Sequence, residues 1–387
     1  MFSSDEVYAA YDRIASAAVN ERPQLEQCFG MKCNVHGILH DPVTRKLVKP
    51  IEHMLRDPMH VLVSNGVANV HIAHLFQKLY QFKKNGKWLQ LATEFLLEFT
   101  LPHKHGKPAA EWLARGRFGK KFESFASFAG IMLSLIPIIE NWLSHIIPED
   151  HELYQHKVCF TLLSHVVGIC FMGPEAAVPH LEVLKQLIPS YVSMYTRLYP
   201  DAPTPKLHQM FHLTDHISNV QKLLSCFVTE RRHRATKRAA LFVFRHIDNT
   251  VIKDMINKQC EAISGESESL FSETSLVSPR IIANAHVDLY TSKEAVLSCG
   301  QVRCGDIVYL STRAVGKVEA FFKCQDSLVA QIDLYQYLAD DRWTTSSPEV
   351  QFCSCADIVD CVVYSVMGES IFVIRPFRIQ LDDLISA

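Results

Sequence analysis

Apolar residues recur three and four positions apart from Pro58 to about Pro200, the spacing that lines one face of a helix. Three segments carry the pattern most plainly: FQKLYQFKKNGKWLQLATEFLLEF, FGKKFESFASFAGIMLSLIPIIENWLSHI and HLEVLKQLIPSYVSMYTRLY. Pro148, Pro174, Pro179 and Pro200 mark helix ends. Ahead of them, residues 4–20 predict one amphipathic helix, and residues 24–57 read as irregular, with turn signals at Gly30, Gly37 and Asp41-Pro42. A second helical block is predicted over 229–262. SGESESLFSETSLVSP, rich in serine and glutamate, then breaks the pattern and reads as a solvated linker. After it the period shortens to two in DIVYLS, KVEAFFKC, LVAQIDLYQYL, DCVVYSV and SIFVIRPF, which predicts the strands of a small β-barrel or sandwich. The predicted class is α+β, largely helical first and β-rich last. The expected boundaries are 1–56, 57–263, a linker at 264–283, and 284–387.

Composition narrows the class. The chain has 387 residues, 48% hydrophobic and 21% charged, enough to bury a sizeable core in two or three domains. The longest apolar run, FAGIMLSLIPII, is too short for a bilayer and contains Pro137, so it predicts a buried helix and no membrane partner. The N-terminal residues lack a basic-then-apolar pattern, and the twelve cysteines show no framework spacing. Both point to an intracellular chain, nuclear or cytoplasmic, with free thiols. Charge is uneven: residues 284–387 hold 14 acids against 8 bases, so the remainder carries the net positive charge. A polyanion is drawn to the first part and not to the second.

The positive charge is densest in FVTERRHRATKRAA (227–240), where Glu230 stands among Arg231, Arg232, Arg234, Lys237 and Arg238. On a helix capped by Thr229, Glu230 would simply complement the dipole in the first turn. A comparable choice arises in KPIEHMLRDPMHVLVSNG, where a strand-like run ends at Asp57, followed by Pro58 and His60. Aspartate before proline is a favoured helix start, so Asp57 also has a purely structural reading.

The combination adds a third element. PKLHQMFHLTDHISNVQKLLSCFVTERRHRATKR (205–238) places Pro205, Lys206, His208 and His212 ahead of the Glu230-Arg231 pair. A D-x-M-H strand end, a long helical insertion, a P-K-x-H-x-x-x-H segment and a helix opening in E-R together resemble the catalytic core of eukaryotic cut-and-paste DDE transposases. The nearest groups are the CACTA-like and Plavaka-like ones, and the resemblance covers roughly residues 31–260. It implies a partial RNase H-like core with a helical insertion. It also implies Asp57 and Glu230 as catalytic carboxylates assisted by His60, holding Mg²⁺ or Mn²⁺ for strand cleavage or transfer on double-stranded DNA. Two-metal chemistry needs such carboxylates to activate the attacking oxygen and stabilise the leaving one. Arg231, Arg234, Lys237 and Arg238 would hold phosphates, and a second basic segment around Lys120 and Lys121 would add to the DNA surface.

The family pattern also requires a first aspartate on a strand preceding Asp57. Asp5 and Asp12 fall in the predicted helix and Asp41 in a turn, so that aspartate is not identifiable and the core reads as truncated. The resemblance also implies a homo-oligomer, in which the missing strands could come from another chain. The competing expectation is a DNA- or chromatin-binding scaffold without catalysis. A third reading makes both carboxylates helix caps of a protein-interaction module. The run 301–323 faintly resembles the opening of a bromo-adjacent homology domain, which points to a chromatin protein as partner of the β-rich end. Separately, Cys28, Cys33, His36 and His40 form a donor set that zinc accepts, with metal-free side chains as the alternative.

Overall fold

The computed structural model describes residues 4–34, 37, 39–50, 56–84, 86–173, 175–201, 205–226, 274–285, 287–297, 299–325 and 327–374. The predicted helical block at 229–262 lies outside the described residues, as do Glu230 and the arginines and lysines around it. The chain forms two compact units, one up to Arg56 and one from Asp57 onward.

The first unit has more helix than its sequence predicts. α1 (Ser4–Ser16) is the expected amphipathic helix, but α2 (Arg22–Phe29) and α3 (Pro42–Leu47) occupy the segment read as irregular. The signals were helix punctuation. Gly30 closes α2 in the left-handed region at φ 66°. Asp41 caps α3 by accepting from the Val43 N–H, with Pro42 at the first helical position. Arg45 of α3 binds Asp12 of α1 through two 2.8 Å contacts. Cys33 donates to the Tyr11 hydroxyl at 3.5 Å, Cys28 is exposed, and His36 lies outside the described residues. Cys28, Cys33 and His40 do not converge on a common point within ligand reach.

The second unit begins with a helical turn, Met59–Val63, then α4 (Val67–Phe82), α5 (Trp88–Leu97), α6 (Ala129–Ile146), α7 (Tyr154–Phe171), α8 (Leu181–Leu198) and α9 (Pro205–Val220). Among the described residues, only α6 is long and apolar enough to cross a membrane. It buries Met132, Leu135, Ile136, Ile139 and Trp142 in the helical core instead. Between α5 and α6, the phenylalanines at 118, 122 and 125 mimic helical spacing but belong to a hairpin-like loop. The Gly119 N–H donates to the Ser124 carbonyl and the Ala126 N–H to Arg117, while Phe118 and Phe125 rings pack 4.6 Å apart. The aromatic contacts that periodicity assigned to a helix face are made across the loop.

Where α4, α7 and α8 meet, three histidines face a row of tyrosines. Tyr191 and Tyr195 of α8, and Tyr199 just past its end, reach the Nδ1 atoms of His71, His74 and His156 at 3.3, 2.8 and 2.9 Å. Burial pushes all three imidazoles down, His156 to about 4. His71 and His74 are core histidines, and His156 is half-buried beside them.

The β-rich end is a curled antiparallel sheet. In chain order its strands are β1 (Phe99–Thr100), β2 (Ser275–Leu276), β3 (Arg280–Ala285), β4 (Val287–Ser292), β5 (Glu294–Leu297), β6 (Gly300–Arg303), β7 (Ile307–Leu310), β8 (Val315–Cys324), β9 (Ser327–Ala339), β10 (Arg342–Ser354), β11 (Ile358–Cys361), β12 (Val363–Met367) and β13 (Ser370–Ile374). The main path runs β1-β12-β13-β10-β9-β8-β4-β3, with β7 and β11 branching from β8 and a separate small sheet β2-β5-β6. β2 lies inside the stretch read as linker, because Leu276 is buried with Ala295 and Leu297, and β3 begins within it.

This sheet is fastened to the helices. β1, from the helical region, pairs with β12, and Phe99 packs on Phe372. The buried Asp306 carboxylate accepts from the backbone N–H of His103 at 3.1 Å and contacts its ring at 2.6 Å. Between Asp57 and Cys226 the described residues contain one strand, the two-residue β1, and it belongs to the C-terminal sheet.

Candidate functional site

Asp57 starts the Met59–Val63 turn. Its Oδ1 accepts from the Met59 N–H at 3.2 Å, its Oδ2 from the His60 N–H at 3.2 Å, and its carbonyl from the Val61 N–H at 3.0 Å. That is the capping geometry an aspartate before proline favours. Met59, Val61, Leu62 and Val63 are buried in the helical core, which fixes the turn and leaves the His60 ring half exposed.

The chain then reverses tightly through Ser64, Asn65 and Gly66 into α4. Asn65 adopts φ 48°, and a Cβ on Gly66 would stand 2.3 Å from the Leu62 carbonyl carbon and 2.6 Å from the Val61 oxygen. The Gly66 N–H is received by Asn69, which also holds the Phe125 carbonyl at 3.1 Å. The carbonyls left over by the turn are met from far along the chain. Lys206, at the start of α9, donates to His60 O at 2.7 Å, Asn65 O at 2.7 Å and Ser64 O at 3.2 Å.

A second long-range contact completes the arrangement. The Cys226 N–H donates to Asp57 Oδ1 at 2.9 Å across 169 positions of sequence. Burial alone would raise the Asp57 carboxyl. The donors from Cys226, the His60 ring, Met59 and the His60 backbone outweigh it and hold the carboxyl below its usual range. The ligand atoms of Asp57, His60 and Cys226 lie within 4.8 Å of one another, the group of this kind found among the described residues. One oxygen, one nitrogen and one sulfur donor suit zinc or another borderline ion; Mg²⁺ prefers oxygen and would need further carboxylates.

Asp57, His60 and Lys206 stand out in the sequence, whereas Cys226 does not, because a backbone N–H leaves no mark in residue type. Lys120 and Lys121 are exposed on the 117–126 loop. Their neighbours Arg115 and Arg117 are spent on that loop: Arg115 donates to the carbonyls of Phe118, Gly119 and Lys120 and lies over Phe122, and Arg117 donates to Ala126 O.

No protein-family model, curated protein or solved structure matches this chain.

Removing the Asp57 side chain is expected to cost about 2 kcal/mol, the loss of a cap together with a charged long-range hydrogen bond. Denaturant unfolding of Asp57→Ala would measure it. A loss below roughly 0.5 kcal/mol would mean that the 226 segment does not depend on this carboxylate.

Proposed function

We propose that this protein is a transposase-derived DNA-binding protein, carrying part of a strand-cleavage site built around Asp57 and Glu230. The observation supporting this reading most is the Asp57–Cys226 hydrogen bond. It joins two of the segments that resemble the transposase motifs, while Lys206, from the intervening P-K-x-H-x-x-x-H segment, braces the same turn. Cys226 precedes Glu230 by four residues, at most about 14 Å of extended chain.

In this reading Asp57 and Glu230 would hold Mg²⁺ or Mn²⁺, which supplies Lewis-acid activation of a phosphodiester when bound. Asp57 is oriented by its backbone donors, and His60, half exposed beside it, would assist. Arg231, Arg234, Lys237 and Arg238, with Lys120 and Lys121, would receive the phosphates. Among the described residues no aspartate stands on a strand ahead of Asp57, the place the family pattern gives its first aspartate.

A binding scaffold without catalysis is the second reading, and one observation favours it. The Asp57 carboxylate already contacts four donors, which occupies its usual acceptor capacity. A metal would have to displace the His60 ring.

Two assays separate these readings. If four basic side chains neutralise phosphates, affinity for random-sequence duplex should fall roughly 100-fold between 50 and 200 mM salt. Salt-independent or undetectable binding would sink both DNA readings. Nicking of supercoiled plasmid with Mn²⁺, abolished by Glu230→Ala at unchanged DNA affinity, would establish residual catalysis. Binding without nicking leaves the scaffold.

A further inference from the structure

We infer that α9 carries a surface site for a borderline divalent metal of the zinc type, formed by His208 and His212 with Asp215 as a positioning residue. The inference uses none of the Asp57 group and does not depend on DNA cleavage. His208 and His212 are four residues apart, so both rings project from one side of the helix. The opposite side of α9, including Leu207, Met210, Leu213 and Ile217, is buried in the helical core, so the backbone presenting the pair is rigid.

The two Nε2 atoms face each other at 3.2 Å. Two imidazole nitrogens on a tetrahedral zinc, each about 2.0–2.1 Å from the metal, stand about 3.3 Å apart. The separation is therefore already that of a chelating pair. Asp215 Oδ2 lies 3.2 Å from His212 Nδ1. An ionised carboxylate only accepts, so the proton of that contact sits on Nδ1, and in the neutral form of the ring the Nε2 lone pair is directed at His208. A carboxylate behind a histidine in this way fixes the ring and raises its basicity, as outer-shell partners do at metal sites.

Without metal, the His208 Nε2–H satisfies that lone pair as a hydrogen bond. With metal, the His208 proton moves to its Nδ1 and both Nε2 atoms become ligands, with no net change in protons. His208 is exposed, which leaves the remaining coordination positions to water or to an oxygen ligand from outside the chain.

Because the chain has 12 cysteines and 19 histidines, the test must be differential. Full-length protein would be titrated with Co²⁺, followed by visible absorption, and back-titrated with Zn²⁺. The double variant His208→Gln/His212→Gln is expected to bind one equivalent fewer than wild type. Asp215→Asn is expected to keep the stoichiometry but weaken that equivalent 10- to 100-fold. A purely structural role for Asp215 would not move metal affinity at all. Should the double variant fold poorly, His208→Gln alone, at an exposed position, must lose the same equivalent. Unchanged stoichiometry and affinity in a folded variant would overturn the proposal and leave an ordinary hydrogen-bonded pair.

Discussion

Gly66→Ala is expected to destabilise the second unit by more than about 3 kcal/mol, the range for overpacking against groups that cannot yield. The added methyl would meet the Leu62 carbonyl carbon at 2.3 Å and its oxygen at 2.5 Å. Both atoms belong to backbone whose neighbouring side chains are buried, so no flexible chain end can move aside. Opening the turn would also shift the carbonyls of Ser64 and Asn65 away from Lys206 and uncouple Asn69 from the Gly66 N–H. The damage should therefore reach the α9 contact as well as the turn. Chemical denaturation would measure the loss, and amide exchange would show whether protection falls at the start of α9. A variant as stable as wild type would mean that the turn can relax.

Glu140→Gln should stabilise the protein above neutral pH and make it more sensitive to acid. Glu140 lies on α6, where Ser164 Oγ donates to it at 2.5 Å; burial raises its carboxyl to about 7 against that bond. His165, 4.0 Å away, is itself pushed toward neutrality by burial and offers little compensating charge. Between pH 4.5 and 7 the folded chain then binds the proton that the unfolded chain has released, so this group's contribution falls as pH rises. At pH 8 the charged form costs about 2–3 kcal/mol, which glutamine removes.

The buried histidines act in the opposite sense. His156, lowered to about 4 by burial and by Lys78, stays neutral in the fold while the unfolded imidazole charges below about 6.5. Stability is lost as pH falls from 6.5 toward 4, by about 1–2 kcal/mol for His156 once its partial exposure is discounted. His71 and His74 add to the loss with the same sign. Wild type should change little over this range because Glu140 offsets the histidines, whereas Glu140→Gln should lose stability steeply. Unfolding curves at pH 8, 6.5, 5.5 and 4.5 would test both halves. A stabilisation by glutamine that does not vary with pH would sink the assignment.

Repeating patterns were legible where one surface is buried against many neighbours. α4, α6, α7 and α8 follow their apolar spacing, and the shift to a period of two marks the sheet. The loop at 117–126 misled because three phenylalanines at helix-like spacing also satisfy a hairpin whose tip carries Phe122 at φ 57°. Asp41-Pro42 suits a turn as well as a helix start, and only the residues after it decide for the helix. The serine-rich stretch masked β2, whose one apolar side chain, Leu276, becomes informative only beside Ala295 and Leu297 of β5.

At the site, the sequence by itself offered Asp57 as the cap of a turn started by Pro58, beside the metal-ligand reading that the resemblance implies; the capping follows from backbone geometry within a few residues. The tertiary structure alone decided that Asp57 holds the Cys226 N–H, that Lys206 gathers three carbonyls of the turn, and that the sheet is fastened to the helices through β1 and the His103–Asp306 contact. Those contacts join groups more than a hundred positions apart, several of them backbone N–H and C=O. Every residue but proline carries both groups, so residue type could not reveal which of them would meet.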